Sequence, residues 1–143
     1  MSNPVHLDKV LYTAAATAVN REGRVKSSDG NLDVVLSIPQ GLGGPGGPGT
    51  NPEQLFAAGY SACFGSALAH VAKAKSIKTG PVHITATVNI GPVGAAFGLS
   101  AEIVATIPEL PRDQAEALVQ AAHQVCPYSN ATRGNIEVSI RLA

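Results

Sequence analysis

This sequence has no surplus of charge of either sign: ten basic and ten acidic residues give a formal net charge of zero. A basic stripe for nucleic acid or a cationic face for an anionic membrane is therefore missing, and neither partner is expected. Met1 to Val10 has no apolar core of signal-peptide length, so the cytoplasm is the expected compartment. A bilayer-length apolar run is lacking as well. The most apolar stretch, Ala57 to Ala72, is interrupted by Gly, Ser and Cys and ends near His70 and Lys73, too short and polar to span a bilayer, and reads as a buried helix. There is no internal repeat and no sign of a domain boundary. At 143 residues the expectation is one domain over 1–143, able to bury about two-thirds of its unfolded surface.

Cysteine is scarce too, at two residues, Cys63 and Cys126. In a reducing cytosol a permanent structural disulfide is not expected. Three states stay open on residues alone: two inert core thiols, a pair of metal ligands, or a redox couple that cycles.

What is present organises simply. Leu11 to Val19 and Leu32 to Ile38 read as strands, with the turn former Ser28-Asp29-Gly30 between them. The glycine- and proline-rich run 41–49 reads as an exposed loop. Asn51 suits an N-cap, Pro52 the first helical position, and Glu53 and Gln54 the first turn, which predicts a helix to about Lys75. Val82 to Ile90 and Leu99 to Ile107 read as strands joined by a turn around Gly91-Pro92-Val93-Gly94. Arg112 to Val125 reads as a helix closed by Pro127, and Ile136 to Leu142 as a final strand. The order β-β-α-β-β-α-β, with antiparallel strands around two central helices, indicates an α+β fold.

Several chemistries can be weighed on these elements. The glycine loop precedes a helix, but no Lys-Ser or Lys-Thr follows it, so the nucleotide-binding pattern fails. Cys63 and His70 lie two turns apart on one helix and His123 and Cys126 three residues apart on another, so a Cys2His2 zinc set is conceivable, without the usual tight-loop spacing. A redox thiol needs a nearby cation, because the thiolate is the nucleophile and a free thiol ionises only near pH 8.5. Arg21, Arg24 and Arg133 are candidates, and Glu53 is the carboxylate suited to fix one of them through a bidentate pair.

The runs Leu11-Tyr12-Thr13-Ala14, Arg21-Glu22-Gly23-Arg24, Ser27 to Val34, Thr50 to Phe64 and Val125 to Ile136 resemble the organic hydroperoxide resistance proteins, a branch of the superfamily that includes the osmotically inducible proteins. The resemblance spans nearly the whole chain, and its motifs are long. It implies a thiol peroxidase that reduces organic hydroperoxides to alcohols, built as an intertwined homodimer. By the same resemblance Cys63 is the peroxidatic thiol, Cys126 the resolving one, Arg21 the cation beside the thiolate, and Glu53 the carboxylate that orients it. No metal and no bound cofactor are implied. The expected electron donor is a lipoyl-type dithiol, dihydrolipoamide or a lipoylated protein. Leu55, Phe56, Tyr60, Phe64 and Phe97 are the apolar residues suited to line a pocket for an alkyl peroxide, although packing alone explains each of them equally well. The other class is a non-catalytic zinc-binding or thiol redox-sensing module.

Magnitudes say what the arginine has to do. Lowering a thiol pKa from about 8.5 to about 6 raises its ionised fraction about 30-fold at pH 7, while a Brønsted slope of about 0.45 costs about 13-fold in nucleophilicity. The net gain is about twofold. A positioned Arg21 must therefore also orient the peroxide and stabilise charge on the departing oxygen.

Overall fold

The computed structural model describes residues 4–20 and 23–143. The chain falls into two compact units, 1–51 and 52–143.

The first unit holds a three-stranded antiparallel meander, β1 (Ala16–Ala18), β2 (Arg24–Ser27) and β3 (Asp33–Val35), in the order β1-β2-β3. It corrects the expected first hairpin. The strand foreseen over Leu11 to Val19 shrinks to three residues because its partner is the unforeseen, four-residue β2, in the register Ala16↔Ser27 to Ala18↔Val25. The turn at Ser28-Asp29-Gly30 joins β2 to β3. Gly30 takes φ +78°, and Asp29 accepts hydrogen bonds from the Ser27 hydroxyl at 2.6 Å and the Asn31 N–H at 2.9 Å. Beyond β3 the chain makes a single 3-10 turn at Gln40–Leu42, then the glycine-rich loop, and returns so that Leu36 and Thr50 form a parallel bridge. Among the described hydrophobic residues of this unit Leu36 is the buried one, whereas Val5, Leu7, Val10, Leu11, Tyr12 and Val19 are exposed.

The second unit is built on α1 (Pro52–Ala74), the strands β4 (His83–Val93), β5 (Ala96–Thr106) and β6 (Glu137–Leu142), and the helices α2 (Arg112–Val125) and α3 (Pro127–Thr132). Tyr60, Phe64, Ala67, Leu68, Val71 and Ala72 recur at helical spacing, and this face of α1 is buried. It meets Ile103 and Ala105 of β5 and Ala115, Leu118, Val119 and Ala122 of α2 in one core. At 23 residues α1 has the length and apolarity of a membrane-crossing helix, longer than the Ala57–Ala72 stretch suggested, and one face of it packs on β4 and α2.

The sheet order is β4-β5-β6. β4 and β5 pair antiparallel, but β6 runs parallel to β5, from Ser100↔Glu137 to Ala105↔Leu142. The all-antiparallel expectation is corrected because α2 and α3 together supply the long crossover that a parallel return requires. The β4–β5 turn also sits later than expected. Pro92 is accommodated on an edge strand, and the chain reverses after Val93, with Gly94 at φ +59°. Pro127 does close α2, but it also opens α3, where its missing N–H costs nothing at the first helical position.

Candidate active site

Cys63 lies on α1, one turn after Tyr60, half-buried at the edge of the core. Cys126 occupies the single extended residue between α2 and α3, at φ −65° and ψ 121°. Its N–H donates to Ala122 O at 2.9 Å to end α2, and its carbonyl accepts from Asn130 N at 2.9 Å to begin α3. This placement leaves the Cys126 side chain fully buried and brings the sulfurs to 3.6 Å, both as free thiols.

The surroundings set the reactivity of the pair. Burial pushes the Cys63 thiol up, the Tyr128 backbone N–H pulls it down, and the adjoining Cys126 thiol raises it again, through the hydrogen bond the two sulfurs share and then through charge repulsion between them. The balance is upward. The Tyr128 N–H is available because the first N–H groups of a helix have no partner within it. Among the described residues no cation takes part in this balance.

Two of the three candidate arginines have structural employment. Arg24 pairs with Asp33 across β2 and β3. Arg133 donates to the carbonyl of His123, at the end of α2, and to Asn130 Oδ1 at 2.9 Å, stapling α2 to α3. Arg21 lies outside the described residues. Glu53 stands half-buried in the first turn of α1. Since α1 is helical without interruption through Gly59, ten residues place Glu53 about 15 Å along the axis from Cys63 and about 80° around it.

The apolar residues separate into distinct places. Phe56, Tyr60 and Tyr128 form an aromatic cluster with centroids 5.7 to 6.1 Å apart. Leu55 and Phe56 are half-buried, whereas Tyr60 and Phe64 have no exposure and belong to the core. Phe97 is 78 % exposed beside the β4–β5 turn, paired with Pro92 and outside that core. His70 is exposed on α1. His123 keeps Nδ1 buried without a hydrogen-bond partner, and burial together with the Arg133 charge lowers its pKa, favouring neutral imidazole. Among the described residues no three His, Cys, Asp or Glu side chains converge as a metal site.

Sequence reasoning missed three parts of this arrangement. Tyr128 covers Gly59, where an added Cβ would stand 2.6 Å from the Tyr128 hydroxyl. The Tyr60 hydroxyl lies 2.8 Å from Ser129 Oγ and 3.1 Å from Thr132 Oγ1, all three buried. The third is α3 itself, and the i, i+3 spacing of Ser129 and Thr132 after Cys126-Pro127 was the available signal.

Set beside known proteins, this combination of fold and thiol pair has a clear family. The family model described as OsmC-like protein matches residues 44–141. The organic hydroperoxide resistance protein of Xanthomonas axonopodis pv. citri is 54 % identical over 138 residues, covering 95 % of this chain and 97 % of that one. Crystal structures of organic hydroperoxide resistance proteins from Elizabethkingia anophelis and Legionella pneumophila both superpose with a TM-score of 0.90, at 52 % and 47 % identity. Each covers 94 % of this chain, and the match spans 98 % and 99 % of their own. The chain thus belongs to the OsmC-like family and, within it, to the organic hydroperoxide resistance branch.

Proposed function

We propose that this chain is a cysteine-based peroxidase that reduces organic hydroperoxides to alcohols. One observation carries the reading: two free thiols 3.6 Å apart, one half-buried and one sealed. The Cys63 thiolate attacks an oxygen of the peroxide, so an S–O bond forms as the O–O bond breaks, and the departing alkoxide takes a proton to become the alcohol. The Cys63 sulfenic acid is then attacked by the Cys126 sulfur. A disulfide forms, and hydroxide leaves with the Cys126 proton as water. The sulfurs need to close from 3.6 Å to about 2.05 Å, a small adjustment of side-chain torsions.

Because burial raises the Cys63 thiol, an added cation is needed, and Arg21 held by Glu53 fills that role. The separation of Glu53 from Cys63 along α1 favours a homodimer in which Arg21 and Glu53 of one protomer serve Cys63 of the other. Leu55, Phe56 and Tyr128 offer apolar walls suited to an alkyl chain. A lipoyl-type dithiol returns two electrons and two protons to the disulfide and leaves as its own cyclic disulfide, in a cytoplasmic cycle.

The test mixes reduced, metal-free protein with one equivalent of an alkyl hydroperoxide, counts thiols, and then adds dihydrolipoamide or glutathione. Loss of two thiols per chain, restored faster by dihydrolipoamide, is expected. Thiols that stay inert while the protein binds stoichiometric zinc would replace this reading with a zinc module.

A further inference from the structure

Tyr60 has no solvent exposure, yet it carries a hydroxyl where phenylalanine would pack as well. Burying a hydroxyl costs free energy unless it is hydrogen-bonded, and here every donor has a place. Ser129 Oγ–H can donate to the Tyr60 oxygen at 2.8 Å, Tyr60 O–H to Thr132 Oγ1 at 3.1 Å, and Thr132 O–H to the Ser129 carbonyl at 3.3 Å. That is a closed set of three donors and three acceptors between α1 and α3.

The two ends of this connection matter. Tyr60 stands one helical turn before Cys63 on α1. Ser129 and Thr132 belong to a six-residue helix whose N-cap is Cys126 and whose second residue, Tyr128, gives its N–H to the Cys63 sulfur. A helix that short has little stability of its own, so its placement depends on tertiary contacts. Buried polar sets of this kind favour one arrangement over sliding apolar packing.

We infer that Tyr60 is a positioning residue: its hydroxyl holds α3 against α1 and thereby sets the Cys126 sulfur beside Cys63 for disulfide closure. This rests on the reading of Cys63 and Cys126 as a redox pair, but its test need not use a peroxide. The probe is 4,4′-dithiodipyridine at one equivalent per reduced chain. The Cys63 thiolate attacks the reagent's disulfide and releases one thiopyridone; the Cys126 thiolate then attacks the Cys63 sulfur of the mixed disulfide and releases the second.

For Tyr60→Phe the first release should stay within about twofold of the unsubstituted protein, since the Cys63 thiol and its exposure are retained. The second should slow at least about tenfold. Equilibrated with a dithiol buffer, the disulfide should become more oxidising by about 30 mV for each tenfold loss in closure equilibrium. Ser129→Ala should move the same readouts in the same direction. If Tyr60→Phe fails to fold, Ser129→Ala and Thr132→Val decide the matter. A second release within twofold of the unsubstituted protein, or equal slowing of both releases, overturns the assignment. An unsubstituted protein that releases both thiopyridones but leaves peroxide untouched would sink the peroxidase reading while leaving this one to be judged by the same rates. Release of only one would overturn both.

Discussion

Cys63 and Cys126 carry the same functional group in two different surroundings, and the difference supports the order of action proposed for them. Cys63 is half-buried, so its sulfur is the more accessible to a peroxide, whereas Cys126 has no exposure and lies 3.6 Å from the Cys63 sulfur. Substituting Cys63→Ser should abolish turnover, because a hydroxyl stays protonated at neutral pH and is a poor nucleophile. Cys126→Ser should consume about one peroxide per chain and stall as a sulfenic or higher acid. Mass spectrometry of the stalled chain checks both, and stoichiometric peroxide loss by Cys63→Ser would reverse the assignment. In Cys126→Ser the repulsion from a second sulfur is gone, which removes one of the influences raising the Cys63 thiol. The rate of its single turnover should therefore climb with pH and reach half its plateau at a lower pH than the first oxidation step of the unsubstituted protein.

At the scale of elements, the α2–α3 junction and the middle of α1 act together through Gly59. A glycine to alanine change inside a helix ordinarily stabilises by about 1 kcal/mol. Here the new methyl would sit 2.6 Å from the Tyr128 hydroxyl and 3.1 Å from its ring. Overpacking of about 1–3 kcal/mol then opposes the helix gain, and displacing Tyr128 draws its N–H from the Cys63 sulfur. Gly59→Ala should therefore lower the denaturation midpoint and move thiolate formation, followed by absorbance near 240 nm, to higher pH. A more stable variant with unchanged ionisation would show that Tyr128 yields freely.

The same elements show what could be read from residues alone. The start of α1 was legible because Asn51-Pro52-Glu53 is cap chemistry, and α2 because its apolar stripe recurs at helical spacing. The four-residue β2 was not, since Arg24 to Ser27 is a short, mostly polar run whose strand character comes from its partners. Pro127 carries two meanings, helix stop and helix start, and only the chain beyond it distinguishes them. The parallel direction of β6 leaves no trace in its alternation. At the site, the two thiols stood out by scarcity and resemblance, whereas the Tyr60 hydroxyl set joins residues 69 and 72 positions apart and has no local signature.

The whole molecule raises the question of what completes the first unit. Among its described hydrophobic residues Leu36 is buried, and Val5, Leu7, Val10, Leu11, Tyr12 and Val19 are exposed. A second copy of the chain is the occupant the proposed shared site requires. Unfolding inactive Cys63→Ser together with inactive Arg21→Ala and refolding them as a mixture tests this. Mixed dimers should recover one intact site each, with Cys63 from one chain and Arg21 from the other, and about a quarter of full activity for random pairing. Background activity in confirmed mixed dimers would place the site within one chain.

The thiols meet at 3.6 Å although 63 positions of chain separate them. In the unfolded polymer such distant points rarely encounter each other, and tying them removes about 4 kcal/mol of conformational freedom from that state. The cycle closes the other way as well: folding raises the tendency of these sulfurs to join by about a thousandfold. Each turnover would thus switch the molecule between a looser and a more heat-resistant form, and its melting temperature becomes a record of its oxidation state.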